Sequence, residues 1–577
     1  MDSDERMSRA LTIAEQETLQ QRGCLADDWS VVSVAEDFRV EQLRNVRFVG
    51  AVKIGSNTTI TSSTIGNYII GSNCHIDSVL RMECRHTSTF GNGVMVSAVN
   101  ENGGRSIPIY TELTAQIAYI MTMMRNRPRC IESLRAKVLR EVETKSCDMA
   151  RIGDDVTILG VKFIREVNIG SNTTIEGASH LENGTIVGGS KIGVDVRAKD
   201  FILDSHAVVD SGACIERCFV GECSVLANGF MAVDSLFFAN CHCENGEAAA
   251  IFAGPFTVSH HKSSLLIAGI FSFFNAGSGT NQSNHLFKSG AVHQSVHQRG
   301  SKFGSNAYVM SPAIEGPYTV ILGRHSRHHD TQDMPFSYLI EEDGLSTLIP
   351  AIALTSYGTV RDTEKWQARD KRKIKRDNIH FDEFNPFLTG KMLRGVDILT
   401  RFWEEDPEAK QFTYNRTIIK ATVIQRGIKL YNSAIAASLG VMLKGGDYSS
   451  ASAESFGEWV DIAGQYMPAA VLERVLAVAE DASATLEDLK IMLDRVAVEY
   501  KDMAAGYAYN ILAHIMGKTP TERDVEECIA ASNNIISRMR ESTDADRQRD
   551  TGTSMMIGYG YDFRDEAERE ADFFATR

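Results

Sequence analysis

The heptapeptide IGSNTTI occurs twice in the chain, at residues 54–60 and 169–175. Around each copy an apolar residue recurs every sixth position, and the residue after it is often glycine. The recurring residues are Phe48, Ile54, Ile60, Ile70, Ile76 and Met82 around the first copy, and Ile169, Ile175, Leu181 and Val187 around the second. A six-residue period fits neither an α-helix nor simple strand alternation. It indicates a short strand followed by a tight corner, where glycine and asparagine tolerate positive φ.

Three such strands and three corners would close one triangular coil of about eighteen residues. Stacked coils bury their apolar residues in a continuous core and pair their backbones as parallel strands. The pattern therefore predicts a parallel β-helix. Its repeats are clearest at residues 44–90 and 150–230, and weaker coils continue to about residue 325.

The repeats at 54–59 and 169–174 resemble the hexapeptide-repeat superfamily, whose pattern is an aliphatic residue, a glycine or small residue, and a small residue three positions later. The resemblance implies a left-handed β-helix, frequent trimerisation, and active sites between neighbouring subunits. Acyltransferases and nucleotide-sugar enzymes of that superfamily use a loop histidine as a base. The strings NGGR at 102–105 and RGSKFGSN at 299–306 also look like those of a large group of bacterial hexapeptide-repeat proteins, which implies no reaction.

The whole chain is predicted to be mainly β: a left-handed parallel β-helix with an inserted helical hairpin and an α-helical C-terminal domain. Helical spacing interrupts the repeats before residue 150 and replaces them after about residue 385, including a predicted helix near 453–466. The basic run EKWQARDKRKIKR at 364–376 is predicted to be a solvated connector. The predicted divisions are an N-terminal segment at 1–40, β-helix at 41–104, a helical insertion at 105–150, β-helix with a histidine-rich region at 151–350, a basic connector at 351–385, and the helical domain at 386–577.

The composition indicates a protein of the cytoplasm. The net charge of −15 argues against a general nucleic-acid binder, and no apolar run is long enough to span a membrane. The N-terminus lacks the layout of a secretory signal, and eleven cysteines without a regular framework suggest reduced thiols. We therefore expect no nucleic-acid and no membrane partner. The densest cysteines are expected to face the β-helix core and not to bind zinc: Cys214, Cys218, Cys223, Cys241 and Cys243.

Residues 255–330 contain eight of the fifteen histidines, together with many arginine, lysine and asparagine residues. A repeat core favours aliphatic residues, so this enrichment predicts the functional site. The eight histidines are His260, His261, His285, His293, His297, His325, His328 and His329. The predicted catalytic residues are His285, His293 and His297. The predicted substrate-binding residues are Asn281, Gln282, Asn284, Lys288, Arg299, Lys302, Arg324 and Arg327.

The leading hypothesis is a transferase that acts on a phosphorylated sugar or a nucleotide-linked sugar. Acyl transfer is the reaction that we favour. A histidine would act as general base because imidazole titrates near neutrality, and arginine and lysine would bind the acidic groups. The candidate donor is acetyl-CoA or another acyl-CoA. The expected partner is a small anionic substrate, and the resemblance favours a homo-oligomer, preferably a trimer.

Two alternatives remain open. The string HQSVHQRG at 293–300 faintly resembles the ligand region of hexapeptide-fold carbonic anhydrases, in which histidines hold zinc. That alternative is a metal-dependent lyase or hydrolase. The other alternative is a non-catalytic oligomeric scaffold, in which the histidines would be dispersed over the surface and would not converge in one cleft.

Overall fold

The computed structural model describes residues 8–283, 294–449, 456–549 and 565–575. Its body is a parallel β-solenoid in which each strand pairs with the equivalent strand of the coils before and after it. One column of inward residues runs in register through Ile60, Ile76, Ile158, Ile175 and Ile192, all fully buried. The predicted mainly β fold, with a parallel β-helix and helical additions, is thereby confirmed. Its left-handedness remains a prediction.

The first face of the solenoid is one continuous series of parallel strands. They are Leu43–Arg44, Thr59–Thr61, His75–Asp77, Thr157–Leu159, Thr174–Glu176, Lys191–Ile192, Val208–Val209, Val225–Ala227, His242–Glu244, Val258–Ser259, Asn275–Ala276, Lys302–Phe303, Val320–Leu322 and Tyr338–Glu342. The series ends in Leu345–Ile349 and the hairpin Gln411–Tyr414 and Thr417–Lys420.

The second and third faces share a twenty-stranded sheet, because several long strands bend at a residue with positive φ, such as Glu166 (φ 47°). The residues before such a bend belong to the second face, and those after it belong to the third. The strands are Ser8–Ala10, Leu25–Ala26, Val32–Ala35, Arg47–Phe48, Val52–Ile54, Thr64–Gly66, Tyr68–Ile70, Arg81–Glu83, Ala150–Ile152, Phe163–Ile169, His180–Ile186, Arg197–Leu203, Cys214–Val220, Met231–Phe237, Glu247–Ala249, Phe252–Ala253, Leu265–Ile267, Gly269–Phe271, Ser295–His297 and Ile314–Glu315. A small sheet of Asn281–Ser283, Tyr308–Met310 and Arg324–His325 accompanies the last coils.

Asparagine and glycine have different roles at the corners. Asn57 and Asn172 of the two IGSNTTI copies adopt positive φ, at 53° and 60°. The glycines are needed for close approach between coils, because a Cβ on Gly55 or Gly170 would lie 2.5 Å from backbone atoms of the next coil. The motif therefore combines one residue that tolerates the corner with one that permits stacking.

The insertion packs against the third face of the solenoid. It consists of the hairpin Met95–Ser97 and Ser106–Pro108 followed by two helices. With helix α1 near the N-terminus, the helices of this part of the chain are α1 (Ile13–Gln21), α2 (Ala115–Met123) and α3 (Pro128–Thr144). Outward residues of the third face, among them Phe219, Leu236 and Phe252, form a second apolar core with α2, α3 and helices of the C-terminal region.

The C-terminal region contains most of the helices: α4 (Tyr357–Ala368), α5 (Pro386–Glu405), α6 (Ala421–Gly445), α7 (Ala469–Glu480), α8 (Leu486–Met516), α9 (Glu522–Arg549) and α10 (Glu566–Ala575). The prediction of a helix near 453–466 was wrong. Trp459–Ile462 and Gln465–Pro468 form a β-hairpin instead, because Ala463 and Gly464 both adopt positive φ and reverse the chain. Within the described residues, no helix has the length and apolarity to cross a membrane.

The basic run is not the solvated connector that its charge predicts. Its first part lies in α4, and its second part is held against the solenoid. The carboxylate of Glu222 accepts hydrogen bonds from the backbone N–H groups of Lys373, Ile374 and Lys375. Arg376 pairs with the buried Asp204 at 3.1 Å. Buried carboxylates on the solenoid therefore determine the path of this segment.

The cysteines are all free thiols. Of the five expected to face the core, Cys218, Cys241 and Cys243 are buried, whereas Cys214 and Cys223 are only half-buried. Burial raises the pKa of Cys218 and of Cys241 to about 12, so these two thiols stay protonated and act as apolar core residues.

Candidate functional site

A cleft of about 540 Å³ lies between the first face of the solenoid and α4. We call it the basic cleft. Register places outward residues of four successive coils in its floor: His242, Val258, Asn275 and Lys302. Trp366 of α4 contacts Phe273 at a solenoid corner, with ring centroids 4.8 Å apart, and this contact fixes the opposite wall.

The lining of the basic cleft carries a clear excess of positive charge. Its cations are Lys302, Arg361, Lys365, Arg369 and Lys371. Asp362 is the acidic residue in this lining, and it pairs with Lys302 and with Arg361. Among the described residues, Lys365, Arg369 and Lys371 form no ion pair. Burial and the neighbouring Arg369 lower the pKa of Lys365, as expected where positive charges lie close together.

Two histidines and a glutamate meet at the same cleft. Nε2 of His242 lies 2.9 Å from a carboxylate oxygen of Glu244, two positions along the same strand. His260 follows the adjacent strand, and its ring centroid is 4.5 Å from that of His242. One potential ligand atom from each of the three residues lies within 4.8 Å of the other two.

The surroundings of these three residues favour an ionised Glu244 and a neutral His260. Although burial opposes ionisation, the hydrogen bond from His242 lowers the pKa of Glu244. Burial, followed by repulsion from His242, lowers the pKa of His260. His260 is therefore neutral at pH 7, and Glu244 is ionised and can orient His242.

The predicted base His297 lies inside the solenoid. It stacks on Phe271, with centroids 4.7 Å apart, and its Nδ1 lies 2.5 Å from Glu315 of the next coil. The second oxygen of Glu315 is 2.7 Å from Nε2 of His329. Gln282, another predicted site residue, directs its Nε2 toward Nε2 of His297 at 3.0 Å. These residues form a buried polar network where the preceding coils have apolar side chains, such as Phe271, Ala253 and Phe237.

Glu315 is the anion of this network. Burial opposes its ionisation, but His297 and His329 lower the pKa of Glu315 well below its usual range. His325 lies beside His329, with ring centroids 5.8 Å apart. Its Nδ1 forms a hydrogen bond of 2.8 Å with Oγ of Ser346. Burial, and next His329, lowers the pKa of His325 to about 4.

We expect stability to fall as the pH is lowered through the range in which His325 would titrate. In the unfolded chain, His325 takes up a proton near its ordinary pKa of 6.5. In the folded protein, it takes up that proton only near pH 4. Each such proton reduces stability by up to about 1.4 kcal/mol per pH unit. The melting temperature should therefore decrease from pH 7 to pH 5, and less steeply in His325→Gln. The exposed His261→Gln variant is the control. Equal slopes in the wild type and His325→Gln would contradict this expectation.

Arg299, predicted to bind substrate, connects the solenoid to the C-terminal region. Its guanidinium pairs with Asp461 at 2.8 Å and donates to the carbonyl oxygens of His380 and Gly464. It lies between the rings of Phe273 and Tyr466, 4.1 and 4.3 Å from their centroids. Its side chain is fully buried, and these three hydrogen bonds hold the C-terminal region against the solenoid.

The other predicted residues are distributed over several places. Lys302 lines the basic cleft. Asn281, Arg324 and Arg327 are exposed, and the guanidinium of Arg324 lies 4.6 Å from the ring centroid of Tyr308. Four predicted residues lie outside the described residues: Asn284, His285, Lys288 and His293.

The sequence reasoning did not assign His242 or Glu244 to a site, and it interpreted the cations in and after α4 as part of a connector. One signal could have found His242 and Glu244, because His260 follows Glu244 by sixteen positions, which is one coil at this point of the solenoid. The cations could not be placed by the repeat, since α4 lies beyond the last coil.

The comparison with known families covers nearly the whole chain. The sequence model described as "Domain of unknown function (DUF4954)" matches residues 8–64 and 58–403, which is more than half of the chain. The chain belongs to the DUF4954 family. The DUF4954 match includes the solenoid, the insertion and the basic cleft. A second model, described as "Domain of unknown function (DUF6819)", matches residues 447–577.

One relative comes from Treponema pallidum (strain Nichols) and carries the description "Uncharacterized protein". It is 23% identical over 447 residues, which cover 68% of this chain and 61% of the relative. The chain thus spans somewhat less than two thirds of that relative's length. The descriptions of both families and of the relative state no reaction, so the function of the DUF4954 region must be argued from its site.

Proposed function

We propose that the basic cleft binds a phosphorylated small molecule, such as a sugar phosphate or a nucleotide-linked sugar, and that the protein transfers an acyl group to it. The supporting observation is that one cleft is lined both by cations without an ion pair and by His242, whose imidazole pairs with Glu244. Cations that crowd together repel one another, and a bound phosphate would relieve that repulsion. The relationship to hexapeptide-repeat enzymes, with a left-handed coil and a trimeric assembly, belongs to this proposal.

His242 is the general base in this proposal. Its Nε2–H donates to Glu244, so the lone pair of Nδ1 is available for a proton. The acceptor hydroxyl would lose its proton to Nδ1 as its oxygen attacks the carbonyl carbon of an acyl-CoA thioester. The carbon–sulfur bond then breaks, and the thiolate leaves with the proton from His242. Glu244 stabilises the transient imidazolium.

Binding of a phosphorylated probe tests the first half of the proposal. We expect Lys365→Ala and Arg369→Ala each to weaken the binding of glucose 1-phosphate by about tenfold, because each removes a cation that forms no ion pair with a described residue. Calorimetric titration at two salt concentrations measures this effect and its screening. Lys199→Ala removes an exposed cation from the second face and should change nothing. Equal affinity in all four proteins would refute the assignment of the cleft.

A second candidate function is favoured by one observation, the close approach of His242, Glu244 and His260. Two imidazoles and a carboxylate are ligands that bind divalent transition metals and leave coordination positions open. The protein would then be a metal-dependent lyase or hydrolase. Elemental analysis separates the two candidates: a stoichiometric metal that is lost in His260→Ala supports the second, and metal-free protein that retains turnover supports the first.

A further inference from the structure

A second cavity, of about 200 Å³, lies between the third face of the solenoid and the C-terminal region. We call it the hairpin cavity. Trp459, Val460 and Asp461 of the Trp459–Ile462 hairpin strand form one wall, and Phe387 and Lys391 of α5 form another. Ile270 and Val296, outward residues of the last coils, close it from the solenoid side. It lies on a different face from the basic cleft, and its chemistry is independent of the proposed function.

Lys391 is a buried ammonium whose charge is poorly compensated. The residue is only 3% exposed, and its Nζ donates to the carbonyl oxygen of Gln332 over 2.9 Å. The nearest carboxylate, Asp333, is 3.9 Å away and accepts instead from Arg394 at 2.7 Å. The ammonium also lies 5.0 Å from the ring centroid of Phe387, but a ring face replaces no hydrogen-bond acceptor. An ammonium has three donors, so within the described chain two of them lack a hydrogen-bond acceptor. Burial lowers the pKa of Lys391 to about 8, although Asp333 opposes this effect.

Two further polar groups in the same lining have no partner. Oγ of Ser272 and Oε1 of Gln298 are buried and make no hydrogen bond with any described residue. A buried polar atom left without a hydrogen bond destabilises the folded state. The two oxygens and the Lys391 ammonium line one cavity, so one ligand could satisfy all three. Arg299 and Asp461 also line it, but they already satisfy each other.

We propose that the hairpin cavity binds a small monocarboxylate that carries a hydroxyl group. Its carboxylate would accept from Lys391, and its hydroxyl would bond to Ser272 and Gln298. One available ammonium matches one negative charge, and Glu458 in the lining disfavours a phosphate with two. The volume is below the range of roughly 300–1,000 Å³ typical of pockets for drug-sized ligands, which restricts the ligand to a small molecule. The side chains of Tyr119, Ile270 and Phe387 would contact the hydrocarbon part of the ligand.

The experiment uses 4-hydroxybenzoate, lactate and their neutral amides as probes of the full-length protein. We expect both carboxylates to bind and the amides to bind at least about tenfold more weakly, because the ammonium recognises charge. Trp459 lines the cavity, so quenching of tryptophan fluorescence by lactate reports occupancy and should disappear in Trp459→Phe. Calorimetry gives the affinities.

Variants separate recognition from folding. Lys391→Met should lose the preference for carboxylates, while its melting temperature stays equal or rises, because an incompletely paired buried charge is removed. The exposed Lys410→Met is the matched control and should bind like the wild type. Ser272→Ala keeps the ammonium of Lys391, so it should weaken the binding of 4-hydroxybenzoate but not that of benzoate. Equal binding of acids and amides, unchanged binding in Lys391→Met, or no binding of either carboxylate to the wild type would each overturn the proposal.

Discussion

Replacing Glu315 by alanine is expected to lower the free energy of unfolding by about 3–5 kcal/mol, because it removes the anion of a buried ion pair. The ring of His329 faces the carbonyl oxygen of Arg327 at 3.2 Å and Glu315 at 2.7 Å. Both partners can only accept, so the ring that satisfies both carries a proton on each nitrogen. Without Glu315, that positive charge would remain in the solenoid core with no counter-ion.

Urea unfolding measures this loss, and two further variants define its cause. Glu315→Gln keeps the shape of the side chain and removes only the charge, so a similar loss would assign the effect to the ion pair and not to a cavity. Glu247→Ala removes an exposed carboxylate from the second face and should change stability by less than about 0.5 kcal/mol. If Glu315→Ala matches this control, the network does not stabilise the fold. Since the pKa of folded Glu315 is depressed, its contribution is present above about pH 4.5 and is lost as the pH falls further.

Replacing His242 by glutamine is expected to reduce turnover by about 10²–10⁴-fold while leaving phosphate binding intact, because general base catalysis typically contributes that much. The reaction is followed as thiol release from acetyl-CoA in the presence of an acceptor that the titration has shown to bind. Glutamine keeps a polar group beside Glu244 but cannot take a proton at neutral pH.

His75→Gln is a closely matched control for this variant. His75 is an outward residue of the same face and of the same stacked column as His242, but it lies several coils away from the basic cleft and is exposed. The His75→Gln variant should therefore turn over substrate at the wild-type rate. Full turnover in His242→Gln with unchanged binding would exclude His242 as the base, and loss of both binding and turnover would assign it to substrate binding.

The two IGSNTTI copies were sufficient to predict how the coils form. Ile60 and Ile175 lie in one buried column, and Asn57 and Asn172 take the corner conformation. The candidate site was less predictable. His297 was predicted to be catalytic because a repeat core favours aliphatic residues, but the local sequence does not say whether it points outward to a ligand or inward to Glu315. That orientation depends on the register of the strand, since neighbouring residues face opposite sides.

The sequence by itself determined the solenoid, because a periodic pattern of aliphatic residues, asparagine and glycine has few ways to bury its apolar positions. Only the tertiary structure decided where charges and polar groups meet. The basic cleft exists because α4, which begins at Tyr357, docks on a face whose floor includes His242, and the hairpin cavity exists because residues 459–468 fold back on the last coils. These contacts join segments far apart in the chain, so they depend on packing and register, which no local pattern encodes.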